Sequence, residues 1–431
     1  PPPPGDDACW GPYLENTLHG DHFSVEWQDG TISQAEAEDL LDELEHAYDV
    51  QVTDIGWREP AGMDRYLLPV YVVEGWYASA YTTLNTESCG GEYLPYIVAY
   101  QGSFSYGDWW MDMAAHEFNH ASQFAYGAGM EFWFWEATAT YMQEYVYPAH
   151  NEWSPYITGY SDQPYLSMSA SNQQDTDIFW HMYGMAIWNF WIDENHGGVD
   201  TILDIWDFAS NESEYYSVSQ QDAIDGIGLD FAEIFKGFTA ANTVMDYREQ
   251  FSFPGMRAQV EVVDLPADGS STTSTAPEAF GSNYIAFDLV APTQDKKDLL
   301  FTFTGDEPAN WLIQLVGAND DHVETIVEVE LTGSAGVGRL ADYGTYEQVW
   351  AVVSPRKDET GTFSYSWSAE GAIPLVEETD GDGDGDGDGT GSDPELEGEG
   401  GGIFGCDATG GPARFAGLSA LLALLAMRRR Q

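Results

Sequence analysis

Basic side chains are scarce: 14 Lys and Arg stand against 73 Asp and Glu, for a formal net charge of −59 at pH 7. The deficit is not confined to one end, because residues 1–376 hold 61 acidic and 10 basic side chains. A surface of that sign repels phosphate backbones and anionic lipid, which argues against nucleic acid as a partner. It suits a saline or calcium-rich exterior, where counterions screen self-repulsion, and it also serves plain solubility. Cysteine is nearly missing, with only Cys9, Cys89 and Cys406. An odd count in an exported chain implies one disulfide and one special thiol; Cys9 and Cys89 share the N-terminal region and form the natural pair. The chain opens on four prolines with no Met and no visible signal peptide, and is read as a processed form. Large aromatics are the opposite case. With 16 Trp, 25 Tyr and 21 Phe in 431 residues, the chain can fill the cores of two or three domains, and wholesale disorder is excluded.

The first half alternates helix and strand signals. Residues 31–48 carry a 3,4-spaced stripe of Leu40, Leu41, Leu44 and Ala47, with Thr31 or Ser33 placed to cap a helix. Apolar, β-prone runs follow at 50–57, 66–76 and 93–102. Helical patterns then occupy about 108–126, 131–146, 178–195, 200–209 and 220–245. From about residue 256 seven short β-rich runs recur between turn signals, which suggests a β-sandwich. The expected organisation is α+β: a helix-and-strand domain over 1–255, an all-β sandwich over 256–372, an acidic Gly/Asp linker over 373–402 and a terminal segment over 403–431.

The linker contains Asp384, Asp386, Asp388, Gly389 and Glu395 in the register of a calcium loop. Without flanking helices, a repetitive Asp-Gly tract reads as a solvated spacer with weak calcium association. Behind it, the apolar run Phe415–Met427 spans 13 residues, short of the roughly 20 that cross a bilayer, and Arg428, Arg429 and Arg430 follow directly. A terminal helix behind such a linker has nothing to bury against. Gly-Cys, a short apolar helix and an arginine cluster closely resemble the MYXO-CTERM tail of myxobacterial surface and secreted proteins. That resemblance implies export to the surface or medium of a Gram-negative cell, with processing or modification near Cys406, and membrane contact only through this segment.

The chemistry-bearing stretch is MAAHEFNHASQF, residues 113–124. On a helix, positions i and i+4 share a face, so His116 and His120 can aim two imidazole nitrogens at one ion. Glu117 lies one residue round, within reach of a water on that ion without being a ligand. Chance places on the order of 0.02 such motifs in a chain of this composition. Large apolar residues without internal Pro or Gly support the helix, and YGAG (126–129) supplies its stop. A metal site with an open position needs a third protein ligand. The metzincin extension fails, since Gln123 and Tyr126 stand where Gly and His are required. Glu136 heads a second helical pattern 16 residues after His120, and Glu131 is its rival.

HEFNH together with WEATAT resembles the gluzincins, whose second helix begins with Glu-Ala at the ligand position. By that resemblance His116, His120 and Glu136 are zinc ligands, Glu117 is the general base, and the first domain is a zincin-like metallopeptidase acting on protein or peptide. The spacing is shorter than in thermolysin-like members, and the acidic residue they carry four positions after the ligand is Thr140 here. Glu144, two turns on, is the candidate to orient a histidine instead. With YGMAIWNFWIDENHG (183–197), the block resembles a group of myxobacterial metalloproteases carrying the same tail, over most of residues 60–245. Tyr183 and His181 are candidate oxyanion partners, each with packing as its plainer role. The strand around 93–102 is expected either to offer an edge for an extended peptide or to be sheet core. The opposing reading is a non-catalytic surface protein whose sandwich binds glycan or protein; a zinc hydrolase of non-peptide substrates lies between. Intact Glu117 favours an enzyme, because a binding protein has no use for the base.

Overall fold

The computed structural model describes residues 14–372 apart from 86–92, 128, 213–216, 250–251, 254, 256–259, 272–275, 289–296, 308–309 and 358–360. The proposed Cys9–Cys89 disulfide, the Asp-Gly linker with its calcium pattern and the terminal segment with Cys406 lie outside the described residues. No helix among the described residues is long and apolar enough to cross a membrane. The architecture is mixed α+β, with one five-stranded sheet early in the chain, a block of helices, and two further five-stranded sheets forming a sandwich-like region.

The first sheet comprises β1 (Asn16–His19), β2 (Phe23–Trp27), β3 (Leu68–Val73), β4 (Ala80–Leu84) and β5 (Pro95–Tyr100), in the order β1-β2-β3-β5-β4. The inner pairs β2–β3 and β3–β5 are parallel, whereas β1 and β4 run antiparallel at the two ends. The strand at 95–100 is therefore sheet core, and among the described residues the edges belong to β1 and β4. Sequence gave no warning of β4, because AYTTL is half polar and only its first residue is buried.

Helix α1 (Gln34–Tyr48) starts as its sequence demands. Ser33 Oγ accepts from Glu36 N at 3.2 Å and Glu36 Oε2 accepts from Ser33 N at 2.7 Å, a reciprocal capping box. Its stripe of Ala37, Leu40, Leu41, Leu44 and Ala47 is buried against the sheet. The run after it is not the expected strand at 50–57. Asp49–Ile55 continues as a wider π-type turn, closed by Gly56 in the left-handed region at φ 95°. The cause is tertiary: Gln51 is fully buried, with its amide hydrogen-bonded to the next helix.

Helices α2 (Trp109–Gln123) and α3 (Phe132–Val146) follow, then α4 (Thr158–Ser161), α5 (Thr176–Gly184), α6 (Ala186–Asn195), α7 (Val199–Glu212), α8 (Gln220–Gly226) and α9 (Phe231–Ala241). The pattern at 178–195 is two helices, not one. At the break, a side chain on Gly184 would meet Tyr160 N at 2.4 Å, so close helix approach requires the glycine. The aromatic content is spent here, with Trp133, Trp153, Trp188, Trp206, Phe134, Phe235 and Phe238 all buried in one core. Burying each such side chain is worth about 1.5–3 kcal/mol.

The sandwich-like region is built from β6 (Val260–Asp264), β7 (Ala267–Ser270), β8 (Asn283–Asp288), β9 (Asp298–Gly305), β10 (Trp311–Asn319), β11 (His322–Glu328), β12 (Leu331–Thr332), β13 (Ala335–Leu340), β14 (Gln348–Pro355) and β15 (Tyr365–Ala372). Its sheets are β11-β10-β14-β8-β6 and β12-β13-β9-β15-β7, and Phe287, Phe301, Leu315, Val353 and Trp367 fill the space between them. The β11-β10-β14-β8-β6 sheet also faces the helices: Thr239 Oγ1 donates to Gln314 Oε1 at 2.8 Å, and Gln314 Nε2 donates to Lys236 O at 2.9 Å. Gln314 is fully buried, so both halves of its amide are satisfied across the contact.

Candidate metal centre

Helix α2 divides its faces by residue type. Met113, Ala114, Ala115, Phe118 and Ala121 enter the core shared with the first sheet and α1, and Phe118 is fully buried. The remaining side carries His116, Glu117 and His120 towards α3. After α2 the chain makes a short 3-10 turn (Phe124–Tyr126) and reverses at Gly127, whose φ 80° and ψ −172° suit only glycine. Helix α3 then packs back along α2 and sets Glu136, one turn in, opposite the histidines.

Three ligand atoms converge. His116 Nε2 and His120 Nε2 are 3.1 Å apart, and Glu136 Oε2 lies 3.4 Å from each. A tetrahedral cation with bonds of about 2.0–2.1 Å has ligand–ligand edges of about 3.3 Å, so this triangle has the dimensions of one face of such a site. Glu136 Oε2 is buried, and its nearest partners, the two imidazole nitrogens at 3.4 Å, are too far and too poorly aligned for good hydrogen bonds, so a cation between the three atoms would satisfy it. His116, His120 and Glu136 are the one group among the described residues with the geometry to hold a metal. Glu117 stands beside it: Thr82 Oγ1, on the edge strand β4, lies 2.7 Å from Glu117 Oε2 and 2.8 Å from Glu117 O.

Charge follows from this packing. Burial alone would lower the His120 imidazole, but the Glu136 carboxylate, with help from Glu117 and Gln123, carries it up to about 9. Burial alone would raise Glu136, yet the two imidazoles hold its carboxyl well below the ordinary range. Glu117 goes the other way. Its burial outweighs the neighbouring imidazoles and the Thr82 hydroxyl, and its carboxyl lies above the ordinary value. A cleft of about 110 Å³ opens on the His116–Glu117 side, walled by Ala78–Ala80 and by the aromatic rings of Trp109, Tyr156, Phe179, Trp180 and Tyr183. Among the described residues no Lys or Arg lines it. Tyr183 stacks on His116 with centroids 5.8 Å apart and planes 9° from parallel. Burial, then the Glu136 and Glu117 carboxylates, push its phenol well above the ordinary value, so it remains a donor.

Several sequence candidates lie elsewhere. Glu131 sits at the start of α3, where its Oε2 accepts from Trp133 Nε1 and Gln220 N, each at 3.1 Å; it joins no ligand cluster. Glu144 orients no histidine but accepts a hydrogen bond from Trp153 Nε1. His181 is fully buried beside the Tyr160 ring, outside the cleft, and burial lowers it to about 4. The groups that do back the two histidines are amides. Gln143 Nε2 is 3.0 Å from His116 Nδ1, and Gln123 Oε1 is 2.7 Å from His120 Nδ1. Gln143 lies seven residues, two full turns, after Glu136 and so on its face of α3; that spacing was the available signal, and Glu144 is one step off it.

No curated protein matches the chain in sequence. Among solved structures it is similar to the pre-peptidase C-terminal domain of a collagenase from Bacillus anthracis, at 10% identity and a TM-score of 0.19, over 26% of this chain and 94% of that one. Residues 20–330 match a family of unknown function, DUF6055, and the chain belongs to that family.

Proposed function

We propose that the chain is an exported zinc metallopeptidase of the gluzincin type, with a zincin-like first domain. One observation carries this reading: a buried His116–His120–Glu136 triangle of tetrahedral dimensions with a non-ligand glutamate, Glu117, facing an open cleft beside it. His116 Nε2, His120 Nε2 and Glu136 Oε2 would hold the metal, and their donor set of two nitrogens and one carboxylate oxygen suits zinc. When bound, zinc polarises a carbonyl and brings the pKa of its water towards neutrality.

The protein's own groups supply the remainder. Glu117 takes a proton on its carboxylate and returns it to the leaving amine, and a carboxyl raised by burial suits both halves of that exchange. Thr82 holds the carboxylate in place. The Tyr183 phenol donates towards charge developing on the carbonyl oxygen. Strand β4 pairs on one side only among the described residues, and Ala78–Ala80 form the cleft wall, so an extended peptide can add along that edge. The aromatic, cation-free cleft takes an uncharged apolar side chain next to the scissile bond.

The test is digestion of a diverse peptide library with and without chelator. Cleavage that needs about one zinc per chain, and that Glu117→Gln abolishes while keeping the metal, is the expected result. Full activity in Glu117→Gln removes it as the base. Zinc binding with no cleavage of any peptide transfers the reading to a non-catalytic binding protein or to another substrate class.

A further inference from the structure

We propose that Gln51, Asn119 and Gln123 form a buried amide relay that fixes which nitrogen of His120 faces the metal position, so that Gln123 is a positioning residue for the site. The inference rests on the metal reading above. All three amides are fully buried, and each is satisfied by its neighbour. Gln51 Nε2 donates to Ala115 O at 2.8 Å, and Asn119 Nδ2 donates to Gln51 Oε1 at 3.0 Å. Gln123 Nε2 donates to Asn119 Oδ1 at 2.7 Å and to Trp135 O at 3.1 Å.

The direction of this chain is forced. A backbone carbonyl only accepts, so Ala115 O and Trp135 O dictate where the nitrogens of Gln51 and Gln123 point. Turning any one amide over would place oxygen against oxygen, or N–H against N–H, in a buried setting. Each such mismatch leaves buried polar groups facing each other without a hydrogen bond. The only Gln123 atom left for His120 is therefore Oε1, 2.7 Å from Nδ1. An oxygen accepts, so Nδ1 carries a proton, and the neutral ring that binds a cation can present its lone pair only from Nε2, beside Glu136 Oε2.

His116 is held differently. Gln143 directs Nε2 at His116 Nδ1, and its Oε1 is buried without a partner. Turning that amide over would let Oε1 accept from Nδ1–H and free His116 Nε2, and no second bond opposes the turn. The site thus has one ligand set in advance by the fold and one set as the cation arrives. Both are backed by neutral amides rather than by the carboxylate that often orients a ligand histidine.

The experiment measures zinc affinity by competition with a chromophoric chelator, in the wild-type chain and in Gln123→Leu, Gln123→Glu and Gln51→Met. In parallel, ¹H–¹⁵N spectra of histidine-labelled protein report whether the His120 Nδ1 proton is protected from exchange. Gln123→Leu should bind zinc about 10–100-fold more weakly and expose that proton. Gln123→Glu keeps an acceptor for Nδ1 but sets its second oxygen against Trp135 O, so it should restore the protected proton and recover only part of the affinity. Gln51→Met, farther from the metal, should lose several-fold, and it decides by the same two readouts if Gln123→Leu does not fold. Wild-type affinity and a protected proton in folded Gln123→Leu overturn the relay. A wild-type chain without zinc affinity that keeps the protected proton overturns the metal reading and leaves the relay standing.

Discussion

Removing the charge of Glu136 gives a pH signature that can be worked out from the structure. In protein kept free of metal by chelator, the His120 imidazole is raised to about 9 in the fold, chiefly because the Glu136 carboxylate outweighs the burial that opposes it. Its ordinary value is about 6.5. A group raised on folding stabilises fully below its unfolded pKa and loses that contribution as pH rises through the folded one, so the window runs from about 6.5 to about 9. At pH 7 the contribution is on the order of 2–3 kcal/mol, lost at up to about 1.4 kcal/mol per pH unit inside the window. The depressed Glu136 carboxyl reports the same Coulomb interaction from its other end, so the energy is counted once. Glu136→Gln keeps the side-chain shape but removes the charge, leaving burial to push His120 down. Urea unfolding of wild type and variant at intervals from pH 6 to pH 9.5 should give curves that converge near the top of that range and diverge below it. Added zinc should flatten the wild-type curve, because the metal takes the place of the proton. If the wild-type pH slope persists unchanged in Glu136→Gln, the carboxylate is not what holds the proton on His120, and the electrostatic account of the triangle fails.

Two further perturbations separate the base from the ligands and the core from the site. Thr82→Val removes the hydroxyl donated to Glu117 while keeping a β-branched shape on β4. A hydrogen bond to a charged group is worth about 1.5–3 kcal/mol, so kcat on a cleaved peptide should fall by roughly 10–100-fold with zinc affinity unchanged; equal loss of zinc would show that Thr82 supports the ligands instead. Glu144→Gln addresses a carboxyl that burial raises to about 7. Such a group stabilises below its ordinary value near 4.5 and loses this as pH rises through 7, while the glutamine oxygen still accepts from Trp153 Nε1. After a discount for partial exposure, the variant should gain about 1–2 kcal/mol at pH 8 and nothing at pH 4; an equal change at both pH values would contradict the burial argument.

What could be read from sequence was what local geometry dictates. Helical repeat alone put His116 and His120 on one face, and the Ser33–Glu36 box marked the start of α1. Glu136 was legible as an acidic residue early in the next helical pattern, although choosing it over Glu131 needed a resemblance. Most strands of the sandwich-like region announced themselves by alternation, whereas β7, the polar ADGS, and β13, with two glycines and an arginine among its six residues, did not. The failures share one cause. Residues 50–57 looked like a strand because Val50, Val52 and Ile55 are β-prone, but burying Gln51 against α2 was worth more than that preference.

The sequence by itself determined the chemistry on offer: an acidic chain with rings enough for its cores, two histidines on one helical face and a glutamate between them. Only the tertiary structure decided how those groups are held. It put β4 rather than the strand at 95–100 at a sheet edge, seated Thr82 on Glu117, left Glu144 to a tryptophan and gave His116 and His120 amide partners. The reason is one of range. Helical periodicity acts within a few residues and is written in the local pattern, whereas Gln51 and Asn119 are 68 residues apart and become partners only when two helices pack and exclude water.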